Sequence, residues 1–390
     1  MMKLWQVFWQ FFTLGWISFG GPAAHIGYFE RTFVQKLKWI DSESYARLIS
    51  LSQFLPGPGS SQIGFAIGLR RAGILGGFTA FIAFTFPSFL LLYFLATTNQ
   101  TQDAQWLVNV THGLKLLAVV VVADAALNMY KAFCKERNTI IICMITAVVL
   151  LVAPSLLMQM LVLISAALIG MNIKKSNEVT SVTAAGITTK GKINYLPLII
   201  FAALFAGLPL LSQSPLWLTI FADFYQSGSL VFGGGHVVLP MLQQALGEAI
   251  ETDRFLLGYA AAQAVPGPMF SLSAFLGADL LAHSPLTGAL IATVAIFLPG
   301  FLLVLSFHNA WETLAAKPKV AGAVWGINAS VVGLLIAALY QPVFTSAIVT
   351  PVDMAVVIVG FFALRTMKVP IIMLVASFIA FGYLMPMITS

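Results

Sequence analysis

Gln53-Phe54-Leu55-Pro56-Gly57-Pro58-Gly59-Ser60-Ser61 interrupts an apolar segment that would otherwise read as one membrane helix. Two prolines remove two backbone donors, and the glycines admit backbone angles that other residues resist. A helix cannot pass through this stretch unbroken. The device returns at Gln263-Ala264-Val265-Pro266-Gly267-Pro268, again with Gln three residues before the first proline. Apolar segments broken at corresponding places in two halves of a chain point to a transporter's binding site.

The surrounding composition fits that reading. Of 390 residues, 59% are hydrophobic and 9% charged, against about 25% charged in soluble domains. Mean hydropathy is +0.93, so an all-α polytopic membrane protein is expected. The net charge of +6 is accounted for by basic cytoplasmic loops and gives no reason to invoke nucleic acid. Cys134 and Cys143 lack metal-ligand spacing and read as incidental. No cofactor or metal is expected. The aromatic segment from Trp5 to Trp16 shows no small-residue cleavage site, so it reads as retained.

Landmarks recur in one order. Phe19-Gly20-Gly21 matches Phe232-Gly233-Gly234, Asp41 matches Asp253, Pro56-Gly57-Pro58 matches Pro266-Gly267-Pro268, and Phe86-Pro87 matches Leu298-Pro299. The displacement is nearly constant, which argues for two homologous halves. Residues 1–171 form the first, 172–194 a polar linker with Lys174, Lys175, Lys190 and Lys192, and 195–390 the second. The second half opens with one extra helix, 195–211. Basic clusters at 131–137, in the linker, at Arg70-Arg71, at Lys317 and Lys319, and at Arg365 and Lys368 then all fall on the cytoplasmic side. The 31–47 loop joins them if the broken segments turn back, which is the preferred reading. The extra helix inverts the second half, giving two inverted-topology halves with helices broken at Gly/Pro motifs, and puts the C-terminus outside.

A broken helix exposes N–H groups at its new N-terminus, where the helix dipole favours an anion without side-chain charge. Gly59-Ser60-Ser61-Gln62 follows the first break and is rich in donors; Met269-Phe270-Ser271 follows the second and is poorer. The halves are therefore expected to be unequal. Gln53 and Gln263 can donate from the preceding half-helices. The plainer alternative is a packing kink, which membrane helices tolerate. His25 and His236 each follow a glycine break and can titrate, donate to an anion, or simply satisfy exposed backbone. Lys115, Asp124 and Asp279 are ionisable residues of apolar segments; Lys115 can snorkel and Asp279 can be interfacial. Arg70 and Arg71 either attract anions or only set topology. There is no catalytic constellation and no ATP-binding loop in the sequence, so an enzyme is the weakest reading and transport would use a gradient.

At these residues the chain resembles the chromate ion transporter family, long two-domain type. The resemblance rests on Ser18-Phe19-Gly20-Gly21-Pro22-Ala23-Ala24-His25-Ile26-Gly27, on both Pro-Gly-Pro stretches with their glutamines, and on Phe232-Gly233-Gly234-Gly235-His236. It implies export of chromate across the bacterial inner membrane, driven by the proton motive force, with chromate resistance as the outcome. It also implies that sulfate, an isosteric dianion, competes. The family's motif positions fall on Gly20, Gly21, Pro22, His25, Pro56, Gly57 and Pro58. Gly235 stands where the first half has proline. The partners expected are thus a chromate-like or sulfate-like oxyanion, protons or another coupling ion, and the bilayer; a homodimer is compatible. Transport of sulfate or another tetrahedral oxyanion, and an uncoupled anion channel, are the alternatives. From the sequence, Gly57→Val, or Ser60→Val with Ser61→Val, abolishes anion uptake in vesicles while the protein stays inserted. The mirrored Gly267→Val costs less if the first half holds the main site; equal loss means one shared site.

Overall fold

The computed structural model covers residues 2–98, 105–173, 192–210, 215–232, 235–310 and 317–389. Among these residues the chain is helical throughout and contains no strand. Most of the 172–194 linker, together with Gly233 and Gly234, lies outside the described residues. Four helices are long and apolar enough to cross a membrane, and several shorter apolar helices accompany them. The short ones arise where Gly and Pro cut the apolar segments.

In the first half α1 (Met2–Ile17) ends at the first glycine pair, and α2 (Gly21–Phe29) turns back from it. Phe11 of α1 meets Phe29 and Phe33, so the returning chain lies against the helix it left. After a π-helical turn, α3 (Ser42–Phe54) starts on an Asp41 cap whose carboxylate accepts from the Ser44 amide. That amide holds the Asp41 carboxyl below its ordinary range. α4 (Gly59–Thr98) folds on itself at Ala72-Gly73, where Gly73 has φ of 69°. Its two arms, 59–71 and 74–98, are drawn together where Gly68 meets Gly76 too closely for either to carry a Cβ.

The second half repeats this plan. α9 (Leu216–Leu230), α10 (Val238–Leu246), α11 (Thr252–Ala264), α12 (Leu272–Leu280) and α13 (Pro285–Phe307) follow the order of the first. Gly15 abuts the Phe84 carbonyl, and Gly228 abuts the Ile296 carbonyl. Gly277 and Gly288 form the close pair that Gly68 and Gly76 form in the first half. α8 (Tyr195–Gly207) is the extra leading helix; its Phe201 carbonyl accepts from the Tyr225 hydroxyl.

The direction of each half is fixed by contacts at the two ends of the 74–98 arm. At its start the Arg71 guanidinium donates to Gln6 Oε1 at 2.9 Å and lies 4.8 Å from the Trp39 ring centre. The N-terminal end of α1, the 31–47 loop and the Arg71 turn therefore share one end, and both broken segments of this half turn back, as preferred from sequence. At the far end of the arm the Ala96 carbonyl accepts from Arg254. The second half's equivalent loop thus lies at the opposite end, and the two halves point in opposite directions.

A second group of helices flanks this core: α5 (Gln105–Phe133), α6 (Arg137–Val152), α7 (Leu156–Ile173), α14 (Pro318–Ala338), α15 (Pro351–Arg365) and α16 (Ile371–Thr389). Small residues let their backbones approach: Gly170 meets Gly322 and Gly326, and Gly113 meets Phe378. The opposed loops are directly testable. In a Cys134→Ala, Cys143→Ala background, Lys36→Cys and Glu251→Cys should react with a membrane-impermeant maleimide from opposite faces. Labelling of both from one face would show that the halves are not opposed.

Candidate functional site

Within each Pro-Gly-Pro only the glycine keeps a backbone N–H. Both of these single donors go to the other half. The Gly57 amide donates to the Val231 carbonyl at 2.7 Å, and the Gly267 amide donates to the Ser18 carbonyl at 2.9 Å. Ser18 and Val231 are the residues that precede the two Phe-Gly-Gly motifs, so the bonds are related by the internal repeat. Both glycines have the positive φ that disfavours other residues, 121° at Gly57 and 100° at Gly267.

Each break also rests on the proline-kinked helix of the other half. A Cβ on Gly57 would stand 3.0 Å from the Gly300 Cα, and one on Gly267 would stand 2.9 Å from Ser88 Oγ. Gly300 and Ser88 follow Pro299 and Pro87. Gln62 Nε2 donates to the Pro56 carbonyl at 2.8 Å and reaches the Gly300 carbonyl at 3.4 Å. Ser88 donates to the Thr85 carbonyl and meets Ser271 Oγ at 2.7 Å. The glycine breaks touch as well: a Cβ on Gly235 would lie 3.4 Å from Pro22 Cγ and 2.9 Å from Met269 Cε.

His25 is fully buried in this crossover. Its Nε2 is 3.1 Å from the same Ser18 carbonyl that Gly267 uses, its Nδ1 is 3.2 Å from Ser60 Oγ, and its ring stands edge-on to Phe84. His236 is placed differently, with Nδ1 3.0 Å from the Tyr259 hydroxyl. Gln263 is directed at Met269 Sδ, whereas Gln53 is exposed. The paired glutamines of the sequence therefore occupy unlike surroundings. Gly20 and Gly21 both have positive φ, which lets only three residues separate the end of α1 from the start of α2. Pro58 packs near Gly300, and Pro266 and Pro268 are buried.

Four buried polar atoms at the crossover have no hydrogen-bond partner: Ser18 Oγ, Ser61 Oγ, Gln62 Oε1 and Thr85 Oγ1. An unpartnered buried polar group costs about 1–3 kcal/mol. Four such groups at one crossover, two after the first break and two beside the contacts of the second, are costly to the fold and suit a site that a ligand completes. Sequence reasoning missed Thr85, Ser88 and Gly300, although the Phe86-Pro87 and Leu298-Pro299 landmarks stood beside all three, and it named Ser271 only as part of the donor-poor stretch after the second break.

The crossover motifs hold no Lys, Arg, Asp or Glu. Several ionisable residues of the apolar segments are paired elsewhere. Lys115 meets Asp253 at 2.9 Å, Arg365 meets Asp124 at 2.6 Å, His112 meets Asp353 at 2.8 Å, and Arg254 forks onto Asp279 at 2.7 Å. These pairs join separate helices, so Lys115, Asp124 and Asp279 have structural work whatever else they do. Arg71 is engaged by Gln6 and Trp39. Among the described residues there is no cluster of three or more His, Cys, Asp or Glu suited to a metal ion.

Two opposed halves, each with helices broken at the same midpoint and sharing a neutral polar crossover, define a multi-pass membrane protein built as transporters are. The chromate transporter family profile matches residues 5–171 and 218–383, once in each half; the chain belongs to this family. It is 25% identical to an uncharacterised transporter of Methanocaldococcus jannaschii, over 97% of this chain and 94% of that one. It is 27% identical to a chromate transport protein of Pseudomonas aeruginosa, over 85% and 79% of the two chains. It is 29% identical to a probable chromate transport protein of Synechococcus elongatus, over 83% and 81%. No solved structure matches it. The protein is thus a transporter and not an enzyme.

The crossover alters the expectation for the mirrored glycine. Forcing a side chain onto either positive-φ position costs about 1–3 kcal/mol, and each change also disturbs a cross-half bond. Gly57→Val and Gly267→Val should therefore both lower anion uptake roughly tenfold or more, with protein still recovered in the membrane. Uptake at the wild-type level in Gly267→Val would assign the site to the first break alone.

Proposed function

We propose that the protein exports chromate from the cytoplasm, driven by the proton motive force, and so gives chromate resistance. The observation that carries this reading is the reciprocal crossover with its unpartnered hydroxyls. Ser18, Ser61 and Thr85 are donors looking for acceptors, and a tetrahedral dianion presents acceptors on every side. The resumed helix beginning at Gly59 adds its positive dipole end. The names of the bacterial relatives point to the same substrate class. Sulfate has the same shape and charge, and neutral donors separate the two poorly, so sulfate transport is the second reading.

His25 is the residue on which proton coupling would act. Its imidazole bridges Ser60, on the resumed helix, and Ser18, whose carbonyl also holds Gly267. A protonated imidazole donates from both nitrogens, so taking up a proton changes the bonding of both breaks at once. The site reading comprises Gly20, Gly21, Pro22, His25, Gln53, Pro56, Gly57, Pro58, Ser60, Ser61, Gly233, Gly234, His236, Gln263, Pro266, Gly267 and Pro268, with Ser18, Gln62 and Thr85 added. The basic clusters orient the chain in the inner membrane with the linker in the cytoplasm and the C-terminus in the periplasm.

Chromate uptake into everted membrane vesicles tests this reading. Accumulation should fall to the vector level with an uncoupler and should be inhibited by excess sulfate. His25→Gln should lose the uncoupler-sensitive part. No accumulation above vector, in vesicles shown to contain the protein, would overturn the chromate reading; currents without proton coupling would identify a channel.

A further inference from the structure

A cavity of about 400 Å³ opens beside the charged turn between α5 and α6 and reaches Phe54, the last residue of α3 before the first Pro-Gly-Pro. One wall is a single stripe of α14, Ala321, Val324, Trp325 and Asn328, at helical spacing. Lys135 and Glu136 stand at the opposite side. Around the mouth Lys131, Lys135, Arg137, Lys317 and Lys319 are exposed, against the acid Glu136 among the described residues. This mouth attracts anions.

Asn328 lies in the cavity wall with 8% of its surface exposed, and its Oδ1 has no hydrogen-bond partner. An amide rotated about its last bond exchanges acceptor for donors, so the same side chain can present its NH₂ group to an anion. The repeat sharpens the point. Asn328 occupies the place that Lys115 has in the first half, and Lys115 is bound to Asp253. The counterpart of Asp253 is Asp41, which caps α3 through the Ser44 amide. The second half thus keeps a polar side chain at this position, drops the charge and its partner, and leaves the amide for a ligand.

At the other end of α14 lies a second cavity, of about 380 Å³, with Gln159, Gln244 and Gln341 in its lining. Between the two cavities α14 is held to α6 by the Thr146–Ser330 hydroxyl pair at 2.9 Å and by Gly333 against the Cys143 carbonyl. These contacts separate the two cavities, and the Asn328 cavity reaches instead the end of α3 at Phe54, two residues before Pro56.

We propose that this cavity is an anion-binding vestibule ahead of the crossover, in which the Asn328 amide donates to a tetrahedral oxyanion before it reaches the first Pro-Gly-Pro. The vestibule rests on the oxyanion-transporter reading, and it assigns to Asn328 a binding role outside the breaks.

Two measurements on the full-length protein in everted vesicles test it. In the first, Asn328→Leu should raise the KM for chromate about tenfold with Vmax within roughly twofold, and Asn328→Gln should recover most of the loss. In the second, the rate at which N-ethylmaleimide alkylates Asn328→Cys, in the Cys134→Ala, Cys143→Ala background, should fall in sulfate and not in chloride of equal ionic strength. Lys319→Cys, at the rim, should be indifferent to sulfate. If Asn328→Leu is poorly inserted, Asn328→Ser takes its place in the first measurement. A wild-type KM in the Leu or Ser variant, together with alkylation unaffected by sulfate, would overturn the vestibule while leaving the crossover reading intact. If the wild-type protein accumulates no chromate, sulfate protection of Asn328→Cys still supports the vestibule, and its absence overturns it.

Discussion

Two hydrogen bonds, Gly57 to Val231 and Gly267 to Ser18, hold the two halves of this transporter together at their weakest points. A helix broken inside the hydrocarbon leaves backbone groups that no water can satisfy, each costing several kcal/mol if left alone. Here each break has one central donor, and both are satisfied by exchange with a backbone carbonyl of the other half. That constraint dictates much else. The halves must oppose each other so that each Pro-Gly-Pro reaches the other's glycine break. The residues after Pro87 and Pro299 must be small, and they are Ser88 and Gly300. The helices that carry them must come close, which Gly15 and Gly228 allow.

The crossover has no fixed charge, and this matters for moving an anion. A lysine or arginine at the midplane would bind a dianion strongly and would need a partner of its own when empty. Hydroxyls and helix ends bind more weakly and leave no bare charge behind. Several charged residues of the apolar segments are used instead as bolts between helices, Lys115 with Asp253 and Asp124 with Arg365. Basic residues at the mouth of the Asn328 cavity raise the local concentration of anions without holding them.

The breaks, the glycine pairs and the Pro87 and Pro299 landmarks were legible in the sequence because Gly and Pro act on their own backbone. The repeat, and with it the opposed halves and the turned-back segments, followed from the order of those residues and the placement of basic clusters. Partner choice was not legible. Lys115 finds its acid 138 residues away, and Asp124 its arginine 241 residues away; nothing local marks either. Gln53 and Gln263 look equivalent as letters, yet one is exposed and the other faces Met269. The repeat preserves backbone paths, while the surroundings of each side chain depend on what the other half brings.

That difference between backbone and side chains makes the two sides of the crossover unlike. Two halves identical in every residue would present the same site to both sides of the membrane. Here the backbone exchange is symmetric, but the first half lines it with His25, Ser60 and Ser61, and the second with Met269, Phe270 and Ser271. Pro22 faces Gly235, and the buried amide of Asn328 stands where the first half has the paired Lys115. The four unpartnered polar atoms of the crossover, on Ser18, Ser61, Gln62 and Thr85, all belong to the first half. The second half supplies chiefly the bulk and the backbone acceptors against which they pack. A symmetric frame with an asymmetric lining lets one backbone exchange hold both breaks while an anion at the crossover meets different groups on its two sides.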